Sequence, residues 1–327
     1  MKKYVLGIDL GGTNIECGIV DRNGKVKIKK RCLTRKDEGA RTILSNILSL
    51  AEKVLSEAKH RGYGVAAVGI GTPGMVNPGT GCIAGGAPNI PGWHGTPLVP
   101  VLKGKLKLPV FASNDVTLYT LGEAVFGAGR GKSNIVCFAL GTGIGGGIVI
   151  DGKIYRGTMD GAGEFGHMTV KLDGRKCKCG SFGCLERYVS ATGIAEMGRK
   201  ASRKNRKSMI LKLAGGDEKK ITAKEVFDAA KLGDKTAKEV VKKVGWFLGA
   251  GIANLISILN PEMVIIGGGV AGAGKILLEI TKKSIDTYGL EVNRKGVEIT
   301  LGKLKTNAGV IGASVFARQE MEKCSQK

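Results

Sequence analysis

The chain has no uninterrupted apolar run long enough to cross a membrane. The uncharged stretch at residues 133–150 is broken by five glycines and Thr142, which argues against a membrane span. Only five residues separate Lys3 from Asp9, too short an apolar run for a secretory leader. The expectation is a cytoplasmic protein whose eight cysteines are reduced thiols or metal ligands and not disulfides. No Walker GxxxxGK[ST] pattern is present, and no GxGxxG opens a helix inside a βαβ unit. Acidic residues are scarce, 28 against 51 Lys and Arg, giving a formal charge of +23. No zinc-finger, homeodomain or RNA-recognition signature accompanies that charge. The basic stretches at residues 25–31 and 199–207 therefore read as solvated surface, and neither a nucleic acid nor a membrane is expected as partner.

Glycine is what the chain has in excess: 53 residues, where an average chain of this length carries about half that number. They are expected in short loops between apolar runs, where the backbone bends sharply or approaches a ligand. At 327 residues the chain suits two α/β lobes better than one small core.

Periodicity gives strands at residues 4–8, 15–20, 65–70 and 109–112. Amphipathic helices are expected at 37–61 and 115–126. The order strand, glycine turn, strand, turn, strand then restarts at residues 135–154, which suggests two related lobes. Helices follow at about 186–200, 222–231 and 235–259, then a strand at 263–266 and a closing helix at 309–323. Residues 72–97 form a long loop dense in Gly and Pro, and loops of that length are usually functional. Within it, packing of the loop and contact with a ligand are equally open for Trp93 and His94, whereas His60 reads as surface.

Three strand-to-glycine junctions stand out: Asp9-Leu10-Gly11-Gly12-Thr13-Asn14, Leu140-Gly141-Thr142-Gly143, and Gly267-Gly268-Gly269. Any one could be a plain hairpin turn. Three together, two in matching repeat positions, read as anion cradles built from backbone N–H groups. Asn114-Asp115 ends a strand and opens a helix, so either a helix cap or a catalytic carboxylate fits there. His167, Cys177, Cys179 and Cys184 make a Cys₃His set, the composition of a closed structural zinc site. Cys17, Cys32, Cys82, Cys137 and Cys324 have no ligand spacing.

The glycine loops resemble those of the hexokinase, actin and Hsp70 superfamily. Residues Gly163-Glu164-Phe165-Gly166-His167, the CxCGxxGCxE run from Cys177 to Glu186, and Asn114-Asp115 together resemble the ROK family, which contains sugar kinases and repressors. The resemblance covers nearly the whole chain. It implies a two-lobed actin-like ATPase (ribonuclease H-like) α/β fold with duplicated βββαβα units. The small lobe would span residues 1–114, closed by the C-terminal helix at 309–327, and the large lobe 115–308, with the zinc segment at 167–184.

It also implies ATP, Mg²⁺ and Zn²⁺ as cofactors and phosphorylation of a hexose at its 6-hydroxyl, glucose first. Fructose, N-acetylglucosamine and N-acetylmannosamine stay open as substrates. A sugar-responsive regulator is the rival from another class, disfavoured because the phosphate loops are intact and the first strand begins at Tyr4. By the same resemblance Asp9 holds Mg²⁺ through water, and Gly11, Gly12, Thr13, Asn14, Gly141, Thr142 and Gly143 line the phosphates. Gly267, Gly268 and Gly269 face the adenosine. Asp115 is the general base, and Gly74, Asn89, Asn114, Glu164, His167 and Glu186 take the sugar, with His167 also a metal ligand. Many members read Asn-Asp-Ala-Asn where this chain has Asn114-Asp115-Val116-Thr117. Homodimers or homotetramers are usual in the family.

Overall fold

The computed structural model describes residues 3–87 and 90–325. In chain order it runs β1 (Tyr4–Leu10), β2 (Asn14–Val20), β3 (Val26–Leu33), α1 (Ala40–His60) and β4 (Val65–Thr72). A two-stranded hairpin of β5 (Met75–Val76) and β6 (Ile83–Gly85) follows, then α2 (Leu98–Leu106), β7 (Val110–Asn114) and α3 (Asp115–Phe126). Next come β8 (Ile135–Leu140), β9 (Ile144–Ile150), β10 (Lys153–Tyr155), α4 (Glu186–Val189), α5 (Ala191–Lys204), α6 (Met209–Leu213) and α7 (Ala223–Lys231). The chain ends with α8 (Lys235–Leu259), β11 (Met263–Gly267), α9 (Lys275–Tyr288), α10 (Glu291–Arg294), β12 (Glu298–Leu301) and α11 (Ala308–Ser325).

The repeat expected from the glycine loops is visible in the sheets. One sheet has the order β3-β2-β1-β4-β7 and the other β10-β9-β8-β11-β12. In the first, β1 pairs antiparallel with β2 and parallel with β4. In the second, β8 pairs parallel with β11, and β11 with β12. Parallel strands buried on both faces call for near-continuous apolar sequence, and Met263-Val264-Ile265-Ile266 supplies it, every residue buried.

Two compact units divide the chain: residues 1–133, 147–163 and 303–327 form one, and 134–146 with 164–302 the other. A boundary at 114/115 differs from this division. The physical reason is that α3 packs on α11, so it stays with the first unit. Within that unit the buried carboxylate of Glu123 on α3 accepts N–H bonds from Ala128 (2.9 Å), Lys303 (3.0 Å) and Leu304 (2.7 Å).

Many glycines do not sit in loops as expected. A β-carbon at Gly7 would lie 2.0 Å from the carbonyl oxygen of Val310, and one at Gly69 would lie 1.9 Å from that of Ala313. Gly312 meets the carbonyl of Leu118 in the same way, at 1.7 Å. These contacts let α11 lie directly on β1, β4 and α3, closer than any side chain allows.

Other elements depart from the pattern by a turn. The helix expected at 37–61 is a 3₁₀ turn at Lys36–Glu38, then Gly39 with φ 85°, then α1. The helix expected at 186–200 breaks at Ser190, whose hydroxyl caps α5 by accepting from Gly193 N–H. Helix α8 is long and apolar enough to cross a bilayer, but its apolar face is buried, packing on α7 and α9.

Candidate active site

In the first unit, Asp9 lies on β1 opposite Glu16 of β2. The following loop is closed by an N–H bond from Gly11 to the Asn14 carbonyl at 3.0 Å. Buried Thr34 props it: its hydroxyl donates to the Gly11 carbonyl at 2.7 Å and its N–H to the Thr13 carbonyl at 2.9 Å. Gly12 has open space where a β-carbon would be, and Gly12 and Thr13 are exposed. The loop is a hairpin turn whose tip at Gly12 is bare backbone open to solvent.

Burial pushes the Asp9 carboxyl up to about 7, with the charges of Asp115 and then Glu16 adding to the rise and Lys29 opposing it. A carboxylate in that state is a proton carrier when alone and a ready partner for a cation.

Asp115 is the first residue of α3. Asn114 caps that helix: its Oδ1 accepts from Val116 N–H (2.9 Å) and Thr117 N–H (3.1 Å), while its Nδ2 donates to the Gly74 carbonyl (3.2 Å). The cap thereby ties the Asp115 turn to the long loop. Thr117 is buried and supplies only that backbone bond among the Asn114 contacts. Gly74 has φ 87°, and a β-carbon would strike the Gly85 carbonyl at 2.3 Å. Asn89 lies outside the described residues. Trp93 is buried, its indole N–H donating to Thr72 Oγ1 at 3.2 Å, so it packs the loop, and His94 and His60 are exposed.

In the second unit, the Leu140–Gly143 loop is closed by Gly141 N–H to the Gly143 carbonyl at 2.9 Å. Glu186 is seated against it: Oε2 accepts from Ile144 N–H at 2.9 Å, and a β-carbon on Gly143 would come within 2.6 Å of that oxygen. Thr192 adds a hydroxyl bond to the Thr142 carbonyl at 3.1 Å. Gly268, with φ 84°, lies so close to the Leu140 backbone that a β-carbon would be 2.4 Å from its carbonyl oxygen, while Gly269 faces open space. The second and third glycine loops are therefore neighbours.

Glu164 precedes the 3₁₀ turn Phe165–His167. Its carboxyl is raised, by partial burial first and by the Glu186 charge, with His167 pulling it down. The Nε2 of His167 is 3.9 Å from Glu164 Oε2, and its Nδ1 is 3.8 Å from Cys177 Sγ. Cys179 and Cys184 sulfurs are 3.7 Å apart, too far for the ~2.0 Å of a disulfide. All four ligand atoms of His167, Cys177, Cys179 and Cys184 lie within 4.8 Å of one another. A tetrahedron with Zn–S bonds of about 2.3 Å has edges of about 3.8 Å, so the set fits a four-coordinate metal. One histidine nitrogen faces that metal position and the other faces Glu164.

A family model described as the ROK family matches residues 5–320. The chain belongs to the ROK family. It is 39% identical over 319 residues to a glucokinase of Halalkalibacterium halodurans, covering 97% of this chain and 96% of that one. It is 38% identical to a glucokinase of Thermotoga maritima, over 98% of this chain and 99% of the other. A ROK family glucokinase from Streptomyces griseus, solved in complex with glucose and AMPPNP, superposes with a TM-score of 0.84 at 34% identity. That match covers 97% of this chain and 99% of the other. The actin-like ATPase fold of ROK sugar kinases is thereby the fold of this chain.

Sequence reasoning missed Thr34 and Gly309, which contact the first glycine loop and Asp9 from distant segments. A β-carbon on Gly309 would fall 2.2 Å from Asp9 Oδ2. No local spacing could reveal either contact.

Proposed function

We propose that this ROK chain is an ATP-dependent hexose kinase that converts glucose to glucose 6-phosphate. The observation that carries the reading is Asp115, a carboxylate at a helix N-terminus locked to the long loop by Asn114 and close enough to Asp9 to raise its pKa. The sugar 6-oxygen attacks the γ-phosphorus of ATP, its proton passes to the Asp115 carboxylate, and ADP leaves. Positioning and charge dominate such a transfer, and a well-placed base contributes about 10²- to 10⁴-fold.

The loops at Gly11 to Asn14 and Gly141 to Gly143 take the phosphates, through N–H groups other than those of Gly11 and Gly141, which close the loops, and Gly267 to Gly269 take the adenosine side. Asp9 binds Mg²⁺ through water, and that ion when bound neutralises phosphate charge. Asn114, Glu164, His167 and Glu186 take the remaining sugar hydroxyls, with Gly74 and Asn89 as further contacts. Glu186 keeps only one carboxylate oxygen for this, since the other is held by Ile144 N–H. His167, Cys177, Cys179 and Cys184 would hold Zn²⁺ as a closed four-ligand set, which would shape the sugar-side turn and supply no reacting position. A cytoplasmic homodimer or homotetramer is the expected setting.

A coupled assay of ADP release across a panel of hexoses tests the substrate. Kinases for N-acetylmannosamine resemble this chain but commonly carry arginine where Met75 stands, and Met75 cannot offer that fork of donors. Glucose should give the highest kcat/KM. A higher value for N-acetylmannosamine or fructose would reverse the assignment.

A further inference from the structure

Positive charge is concentrated around a cavity in the second unit. A groove of about 710 Å³ in the second unit lies between the chain that follows His167 and helices α5 and α8. Its volume is in the range of sites that hold small ligands, about 300–1,000 Å³. Five basic residues line it, Lys171, Arg175, Lys200, Lys204 and Lys243, against one acidic residue, Asp173.

Two of the five already have carboxylate neighbours. Lys171 faces Asp173 at 3.9 Å, and Arg175 faces Glu196 at 3.7 Å. Lys200, Lys204 and Lys243 are exposed and have no carboxylate partner among the described residues. Three like charges brought to one concavity repel each other, a cost that an anion there would remove.

The floor is aromatic. Tyr188 and Phe247, both on the groove wall, are stacked with ring centroids 4.1 Å apart. The Arg175 guanidinium lies over the Tyr188 ring at 5.2 Å, and the Tyr188 hydroxyl accepts from the Arg175 backbone N–H at 2.9 Å. A preorganised floor under mobile ammonium groups suits a ligand of high charge and little shape demand, since lysine binds phosphate as a point charge.

We propose that this groove is a binding site for a small polyanion carrying two or more linked phosphate groups. It is independent of the kinase reading, because it uses none of the residues assigned to ATP, hexose or zinc. Two sources share that chemistry, a free inorganic phosphate chain and the phosphate tail of a nucleotide.

The test is calorimetric titration of the whole protein with tripolyphosphate, AMPPNP and orthophosphate. It is run on wild type, on Lys200→Gln/Lys204→Gln/Lys243→Gln, and on a control with the same loss of charge elsewhere, Lys105→Gln/Lys153→Gln/Lys219→Gln. Wild type and control should show a tripolyphosphate binding event that is weakened about tenfold or more in the groove variant, by loss of charge-assisted contacts. Orthophosphate should be far weaker. The same event with AMPPNP, beyond the catalytic one, would identify the phosphate tail as sufficient, and its restriction to tripolyphosphate would identify the free chain. ATP and glucose kinetics of the groove variant should stay at wild-type values, which shows that it is folded. Tripolyphosphate binding that is equal in wild type and groove variant, or weakened equally in the control, would overturn the proposal.

Discussion

Gly309 at the start of α11 stands directly against Asp9 of β1, leaving no room for a methyl group beside Oδ2. The closing helix thus sets where the Asp9 carboxylate lies. Gly309→Ala should displace Asp9 and raise the KM for MgATP while leaving glucose affinity within about twofold. Overpacking of this kind costs about 1–3 kcal/mol of stability. Steady-state kinetics with each substrate varied in turn will check this, and an unchanged KM for MgATP would count against the contact.

The raised carboxyl of Asp9 has a consequence for stability. An unfolded aspartate loses its proton near its ordinary value of 3.8, whereas in the folded, metal-free protein Asp9 holds it up to about 7. Between those values the native state binds more protons, so this group makes stability fall as pH rises through the window and stay lower above it. Asp9→Asn removes that slope. Its melting temperature should match wild type near pH 4 and below and exceed it increasingly from there toward pH 7, with kinase activity lost. A constant difference across that range would contradict the assignment, as would a wild type that gains the advantage at high pH. The pattern is the usual cost of a functional charge held out of water.

The metal prediction concerns the sugar and not the chemistry. Cys179→Ser should lose zinc, lower stability and weaken glucose binding, because His167 has one nitrogen toward the thiolates and the other toward Glu164. Nucleotide affinity should change less. Metal analysis with parallel glucose and nucleotide titrations will decide. Full zinc occupancy, or zinc loss with unaltered glucose affinity, would show that the cluster does not organise the sugar-side turn.

Much of this was readable in the chain, and for physical reasons. Strand and glycine-turn order is local, so the two sheets with matching strand order were legible, and so was the Cys₃His set, whose members lie within eighteen residues. What escaped depends on contacts between remote segments. Thr34 supports a loop twenty residues earlier, Glu123 accepts N–H bonds from residue 304, and Gly7 meets Val310. The excess glycine shows the difference most clearly. Read along the chain it marks loops, yet Gly7, Gly69 and Gly312 serve helix-on-sheet packing that only the folded chain reveals. The pairing of Glu186 with the second glycine loop was equally hidden, although the residue itself was picked out by its motif.

The account turns on Asp115 as the proton acceptor. Asp115→Asn retains the shape of the side chain and leaves the Asn114 cap of α3 untouched. The direct measurement is kcat for glucose phosphorylation by the purified variant, alongside its glucose affinity and melting temperature. The account predicts a fall in kcat of about 10²- to 10⁴-fold, with affinity and melting temperature close to wild type. A variant that turns over glucose at nearly the wild-type rate would contradict it.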